Sequence, residues 1–465
     1  MAEGTAVLPF AAHRQEGYVG EPMKVFNFVL ATTGPTLTNV KILSRYAFSL
    51  SRHITPRRAA NFAKVEWARF RGNDVVNGFP YVLKIESTNI CNQHCPFCLD
   101  RDRTKIDDDG RGFGKMHLEC FQKAIDVMAP TAMRLNLYGS GEPVLYPDIY
   151  DMIRYAADRN IGVTISANLS AFKKENAEKL VLSGLEHLIV SCHGASPETY
   201  IKYNQGGDFW RTQENMKAIC DAKKRLGRKL PFVDWQFLRF SHNQHEIPKA
   251  RQMAREIGVN AIRFINPNIP PEHKEEWRPR RDDELADANR GEGAVNASPG
   301  VHMSVEAQAV ARGEKVATKA PKAAVNTCSW LYRSIFFNWD GGILPCCDGT
   351  TQPSHDLGHF TDRTLPHFTG QTREEFARFW NGDTYRYLRR MANFKIPREQ
   401  MDKKYTCSSC IKPHMPFILY ERGFQLDSSV EKRLLATEPD LPAKRDAWRK
   451  TRISVSGNVG GGGGN

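Results

Sequence analysis

The chain has no uninterrupted apolar run of the roughly 18 or more residues that a membrane-spanning helix needs. Met1 to Arg14 lacks the basic start and apolar core of a secretory signal, and the apolar run Val25–Ala31 is short and broken by Asn27. Without an export signal, the eleven cysteines are expected in a reducing, cytoplasmic setting. Clustered thiols there hold metal or do chemistry more often than they form disulfides. There is no acidic excess: 65 basic against 52 acidic side chains leave a net charge of +13. Such a balance suits a solvated basic surface or a polyanion partner. Yet there is no RNA-recognition signature and no basic–aromatic stripe, so nucleic acid is not the expected partner. No internal repeat is present beyond a β/α unit, and no cysteine follows Cys410.

With 465 residues, 41% of them hydrophobic, the chain is long enough to bury a sizeable core and to form two or three domains. Its composition divides it into a helical extension (1–78), a β/α region (79–270), a charged linker or insertion opened by Pro270-Pro271 (271–325), a cysteine-bearing module (326–425) and a tail (426–465). The tail ends in five consecutive glycines, Gly460 to Gly464, and is expected to be disordered. From Leu37 to Arg71, Val40, Leu43, Tyr46, Ala47 and Leu50 recur at helical spacing among Lys41, Arg45, Arg52, Arg57 and Arg58. Pro56 should divide that stretch into two helices. Basic amphipathic helices more often pack on their own domain, and peripheral membrane contact is the alternative.

From residue 81 onward, short apolar runs alternate with amphipathic stretches. The expected strands are Tyr81–Glu86, Met133–Tyr138, Gly162–Ser166, His187–Ser191, Val233–Arg239 and Ala261–Ile265, with helices near 117–129, 147–158, 174–183, 211–226 and 245–257. Six β/α units imply a parallel sheet with helices outside it. They are too few for the closed eight-stranded barrel and suit an open, partial (β/α)6 TIM-like barrel followed by a small C-terminal domain.

Cys91, Cys95 and Cys98 directly follow the first expected strand, on the side where such barrels place their chemistry. Three thiolates can ligate three irons of a cubane cluster and leave the fourth open. The competing reading is zinc with His94 as a fourth ligand, although structural zinc usually draws on paired motifs and His94 sits inside the tight loop. In the last third stand Cys328, Cys346, Cys347, Cys407 and Cys410, with Asp340-Gly341 marking a hairpin turn before Cys346. Spacing alone leaves zinc and [4Fe–4S] both open for this set. Cys120, Cys192 and Cys220 read as buried small hydrophobes.

The run Cys91-x3-Cys95-x-Phe97-Cys98 resembles the signature of the radical S-adenosylmethionine (SAM) superfamily, with Phe97 in its aromatic position. The resemblance implies that Cys91, Cys95 and Cys98 hold a catalytic [4Fe–4S] cluster whose open iron is chelated by SAM. An electron from the reduced cluster then cleaves SAM to methionine and a 5′-deoxyadenosyl radical, which takes a hydrogen atom from the substrate. Gly139-Ser140-Gly141-Glu142-Pro143 resembles the family's Gly-Gly-Glu motif, so Gly139 and Gly141 would let the backbone approach SAM and Glu142 would accept hydrogen bonds from its amino group. Ser166, Asn168 and, on the fifth strand, Gln236 match other cofactor-contacting positions. The C-terminal set resembles the SPASM/Twitch extension, whose shorter form holds one auxiliary [4Fe–4S] cluster. Cys328, Cys346, Cys407 and Cys410 match it, with Cys347 as the alternative to Cys346. Trp380-Asn381-Gly382 resembles a helix start common in that module.

Two departures from relatives stand out: His193 where many have Asp, and Asn204 where many have a SAM-carboxylate-binding Arg. His193 and Tyr203 are the candidates for a catalytic base. The expected enzyme is an oxidoreductase or maturase acting on a small polar molecule, glycan or peptide, supplied with electrons by a flavodoxin- or ferredoxin-type donor, with the auxiliary cluster accepting an electron. The rival from another class is a cysteine-rich zinc- or nucleic-acid-binding protein.

Overall fold

Along the central strands, side chains alternate between an apolar outer face and a polar inner one. Leu83, Ile85, Leu135, Leu137, Val163, Ile165, Leu188, Val190, Val233, Trp235 and Phe237 lie in the main core. The intervening positions include Lys84, Arg134, Asn136, Thr164, His187 and Asp234, all buried and polar. That period of two is the signature of a sheet with helices on one face and an enclosed lumen on the other. The computed structural model describes residues 49, 51–98, 111–267, 269–279, 301–303, 323–325, 328–346, 353–360, 372–421 and 425–447. The basic helical stretch before residue 49, most of the charged linker, Cys347 and the Gly460–Gly464 run lie outside the described residues.

The sheet is built from β1 (Val82–Ile85), β2 (Arg134–Asn136), β3 (Gly162–Ala167), β4 (His187–Ser191), β5 (Phe232–Leu238) and β6 (Ala261–Ile265), paired in parallel in chain order. Between them run α2 (Leu118–Met128), α3 (Ile149–Asp158), α4 (Ala177–Leu182), α5 (Pro197–Tyr203), α6 (Phe209–Arg225) and α7 (Ile247–Ile257). All six expected strands are present within a residue or two at each end. Helix α5 was not expected from the sequence; Ser196 caps it, and Pro197 occupies its first turn.

The C-terminal segment continues this sheet. Strand β9 (Ser334–Phe337) pairs in parallel with β1, and β10 (Gly342–Leu344) and β11 (Gly358–His359) follow antiparallel. The resulting order is β11-β10-β9-β1-β2-β3-β4-β5-β6, an open α/β sheet consistent with a partial barrel plus a C-terminal domain. A separate two-stranded piece pairs β7 (Val301–Met303) with β8 (Ala323–Val325). The expected turn lies between β9 and β10: Gly341 adopts φ 98°, and its N–H donates to Asn338 O at 3.0 Å.

Helix α1 (Pro56–Arg71) starts at the predicted break, with Thr55 as its cap. Its Arg58 is buried and donates to Ala129 O at 2.8 Å and Arg159 O at 3.0 Å, satisfying carbonyls where α2 and α3 end. This basic helix therefore packs on the barrel, while Trp67 and Phe70 on its other side are exposed. Among the described residues, no helix is long and apolar enough to cross a membrane.

Candidate active site

The loop after β1 carries the three thiols and is held at several points. Thr88 Oγ1 donates to Gly114 O at 2.8 Å, Asn89 Nδ2 donates to Gly112 O at 2.9 Å, and Asn89 Oδ1 accepts from Gly114 N at 2.9 Å. Cys98 N donates to Cys95 O at 3.1 Å, closing a turn between the last two cysteines. Cys91, Cys95 and Cys98 are each half-buried, whereas His94, drafted as a zinc ligand in the rival reading, is exposed. Burial holds the Cys95 thiol well above its ordinary pKa, and the neighbouring Cys98 and Cys91 thiols add to the rise. Among the described residues, no group of three or more His, Cys, Asp or Glu is placed to hold a single metal ion.

A polar network behind this loop was not anticipated from the sequence. Asn92 accepts from Asn168 Nδ2 at 3.0 Å and donates to Ser170 Oγ at 2.8 Å. Gln93 donates to Tyr200 OH at 2.9 Å and accepts from Asn204 Nδ2 at 3.0 Å. Asn168 Nδ2 also points at Cys91 Sγ, 3.9 Å away. The loop is thus tied to the segment just after β3 and to helix α5 with its C-cap Asn204. The residues that tie it sit in the unspecified positions between the cysteines, and their partners are about a hundred residues downstream.

Glu142 is the most telling side chain. It is buried; its Oε2 accepts from Asn168 N at 2.7 Å, but Oε1 is buried with no hydrogen-bond partner among the described residues. Loss of water pushes its carboxyl up to about 8, although N–H groups of Asn168 and Val144 pull the other way. An orphaned, dehydrated acceptor calls for an external donor, and an amino group supplies one. Such an oxygen near three thiols with no described fourth ligand fits a [4Fe–4S] cluster with SAM on its open iron. Gly139 and Gly141 make close approach possible in a particular sense. A Cβ at Gly139 would overlap Glu86 Oε1, and one at Gly141 would overlap Thr88 O and lie 2.8 Å from the Asn89 Cα. These glycines let the loop after β2 lie against the thiol loop.

The other expected contacts are spread around the mouth. Ser166 Oγ is 3.4 Å from Ser191 Oγ, and Gln236 Oε1 accepts from Arg263 Nη2 at 3.3 Å. Phe97 packs edge-on to Trp277 at 5.0 Å and lies 6.0 Å from Tyr203.

The two base candidates are enclosed by packing. His193 is buried, its Nδ1 accepts from Leu238 N at 3.1 Å, and burial lowers its pKa to about 3, so it is neutral at pH 7. Tyr203 is stacked on Phe240 at 4.7 Å, and burial holds its hydroxyl well above the ordinary value. A pKa this low makes His193 a weak base whose Nδ1 lone pair is already taken by Leu238 N–H, and Tyr203 stays protonated at neutral pH. Asn204 is also committed: its Oδ1 accepts from His193 N at 3.0 Å, while its Nδ2 serves Gln93. The Asn204 amide therefore ties the thiol loop to the β4 loop.

In the C-terminal segment, Cys328 and Cys346 both pack against the cluster of Trp330, Phe336 and Leu344. Cys410 N donates to Cys407 O at 3.3 Å. Tyr385 on α8 (Asp383–Ala392) lies near both halves of the set. Its hydroxyl is buried without a hydrogen-bond partner; burial raises its pKa, and the Cys407 and Cys346 thiols raise it further. Arg111 ion-pairs with Asp340, and with Asp356 at 2.6 Å, so the chain just after the thiol loop is clamped to the β9–β10 hairpin.

Comparison with known proteins gives two domain matches: residues 85–228 to the radical SAM superfamily, and residues 328–411 to an iron–sulfur cluster-binding domain, SPASM. The AdoMet-dependent heme synthase of Methanosarcina barkeri is 23% identical over 345 residues, covering 71% of this chain and 91% of that protein. A probable GTP 3′,8-cyclase of Methanocaldococcus jannaschii is 28% identical over 190 residues, covering 39% of this chain and 58% of that protein. Among solved structures, Streptococcus suis SuiB bound to S-adenosylmethionine is 15% identical with a TM-score of 0.44, covering 71% of this chain and 72% of that one. Native anSMEcpe with bound AdoMet is also 15% identical with a TM-score of 0.44, covering 82% of this chain and 100% of that one.

Proposed function

Because the chain is a radical SAM enzyme with a SPASM domain, we propose that it oxidises or otherwise remodels a C–H position of a small polar, glycan or peptide substrate. Cys91, Cys95 and Cys98 would hold the catalytic cluster, and Cys328, Cys346, Cys407 and Cys410 an auxiliary one. Together with SAM these groups supply a radical that removes a hydrogen atom and an acceptor for the electron that then leaves the substrate. The protein's own residues orient and exclude. Glu142 Oε1 would take an N–H of the SAM amino group, with Asn168 N holding the other carboxylate oxygen in place. Ser166, Asn168 and Gln236 would face the rest of the cofactor, and Phe97 with Tyr203, Phe240 and Trp277 would keep water from it. A flavodoxin- or ferredoxin-type donor would reduce the catalytic cluster. The base that takes the substrate proton is not assigned to His193, which is buried, weakly basic and bonded at Nδ1, or to Tyr203, which is buried and protonated.

The observation that carries this reading is the dehydrated, partnerless Glu142 oxygen near the three-thiol loop. The family match favours it over a zinc- or nucleic-acid-binding protein. The test is anaerobic SAM cleavage by the reconstituted, reduced protein, with 5′-deoxyadenosine read by chromatography and a Cys91→Ala, Cys95→Ala, Cys98→Ala triple variant as control. Formation of 5′-deoxyadenosine that disappears in the variant is expected. A protein fully loaded with iron that yields none would count against the proposal.

A further inference from the structure

The lumen face carries three buried cations among the described residues: Lys84, Arg134 and Arg263. Arg263 pairs with Asp234, 2.7 Å away, which is also bonded to His187. Arg134 donates to Thr164 Oγ1 at 3.4 Å. Lys84 differs. Its ammonium lies over the rings of Tyr138 and Phe336, 5.1 and 5.2 Å from their centroids, and among the described residues it makes no hydrogen bond or ion pair. Aromatic faces confine a cation but supply no net charge. A buried ammonium without an anion is unfavourable, so the arrangement is complete only when an anion arrives.

A second donor waits beside it. Asn136 is the register partner of Lys84 on β2, and it is 3% exposed with Nδ2 lacking any hydrogen-bond partner among the described residues. A charged and a neutral donor on neighbouring strands, facing one lumen and without acceptors, match the oxygens of a carboxylate or phosphate. Phe336 comes from β9, so the spot lies where the barrel meets the C-terminal segment. The proposed SAM contacts come instead from the loops after β2 and β3 and from β3 and β5.

We propose that Lys84, assisted by Asn136, holds a carboxylate or phosphate of the substrate, which makes the substrate an anion. This rests on the radical SAM reading above and adds a substrate class to it.

The probe is inorganic phosphate, titrated into the reconstituted full-length protein and followed by 31P NMR line broadening, with and without saturating SAM. Phosphate is expected to bind in both conditions. Lys84→Met should weaken it about tenfold or more, as loss of a charge-assisted bond does, and Lys84→Arg should restore most of the affinity. Displacement of phosphate by SAM would overturn the proposal by giving the seat to the SAM carboxylate. Native affinity in Lys84→Met, or no binding at all, would overturn it by placing no anion there. Should Lys84→Met lose cluster iron, Lys84→Arg and Asn136→Leu decide: unchanged binding in Asn136→Leu with none gained from Arg over Met refutes the pair. Loss of phosphate binding while 5′-deoxyadenosine still forms defeats this inference alone. Loss of 5′-deoxyadenosine in the native protein defeats its premise.

Discussion

Replacing Glu142 by Gln tests the site most directly, because the change is nearly isosteric and removes one negative charge. Asn168 N can still donate to the amide oxygen, so the loop after β2 keeps its anchor. What disappears is a carboxylate aimed at an incoming N–H. A charge-assisted hydrogen bond of this kind contributes about 1.5–3 kcal/mol, so SAM affinity at pH 9 should fall roughly 10- to 100-fold. The pH dependence is sharper evidence. Burial pushes the Glu142 carboxyl up to about 8, so below that pH the SAM-free protein must lose a proton before the carboxylate can act. Each pH unit below the pKa then costs about tenfold, or about 1.4 kcal/mol. The native advantage over Glu142→Gln should therefore shrink as pH falls and nearly vanish by about pH 6, where both side chains are neutral. Titration of the SAM amino group itself is common to both proteins and cancels in the ratio. Equilibrium binding of SAM to both reconstituted proteins between pH 6 and 9 measures it. A ratio that stays constant across that range would refute the argument, since the charge of Glu142 would then be irrelevant to SAM.

Gly141→Ala should lower the melting temperature and the iron retained by the three-thiol loop, because the new methyl would strike the Thr88 and Asn89 backbone, and overpacking of this kind costs about 1–3 kcal/mol. Gly112→Ala, which meets nothing within 4 Å, is the matched control, and equal behaviour of the two variants would dispose of the close-approach argument. Tyr385→Phe removes a buried hydroxyl beside Cys346 and Cys407 while keeping the ring against Trp380 at 4.5 Å. The hydroxyl of Tyr385 has no acceptor among the described residues, so it would be free to turn its O–H dipole toward a cluster bound there; such a dipole favours the reduced, more negative state, so the reduction potential should fall on its removal, as read by an EPR-monitored redox titration. A potential equal to that of the native protein would leave Tyr385 a packing residue only.

The strands were legible because their apolar faces recur at a period of two inside short runs, a local property of each segment. The continuation of the sheet was not. Val82 pairs with Ser334 across some 250 residues, and no local pattern announces a parallel neighbour at that distance. Helix α5 did carry a local signal, Ser196 followed by Pro197, but one so short reads equally well as turn chemistry. The site divides in the same way. Cys91, Cys95 and Cys98 stand close in sequence, so their spacing is visible. The enclosure of His193 and Tyr203 depends on Leu238, Phe240 and Trp277, which arrive from later segments of the chain. A histidine at the end of a strand looks like a base until its neighbours are known.

The β1–β9 ladder also bears on how the two sets of thiols work together. Four register pairs join those strands, and Glu86 N donates to Phe337 O at 2.9 Å just before the thiol loop begins. Arg111 then grips Asp340 and Asp356, and Gly114 packs against the Trp339 ring so closely that a Cβ there would overlap it. The hairpin leading to Cys346 is therefore fastened to the three-thiol loop by backbone hydrogen bonds and by a buried guanidinium. Elements joined this way shift together, since sliding one past the other would break several hydrogen bonds at once. A substrate held at Lys84, between β2 and β9, would bind to that joined frame. Its reacting carbon would then keep its position relative to both sets of thiols through hydrogen removal and electron loss, which is what an oxidation in two one-electron stages requires.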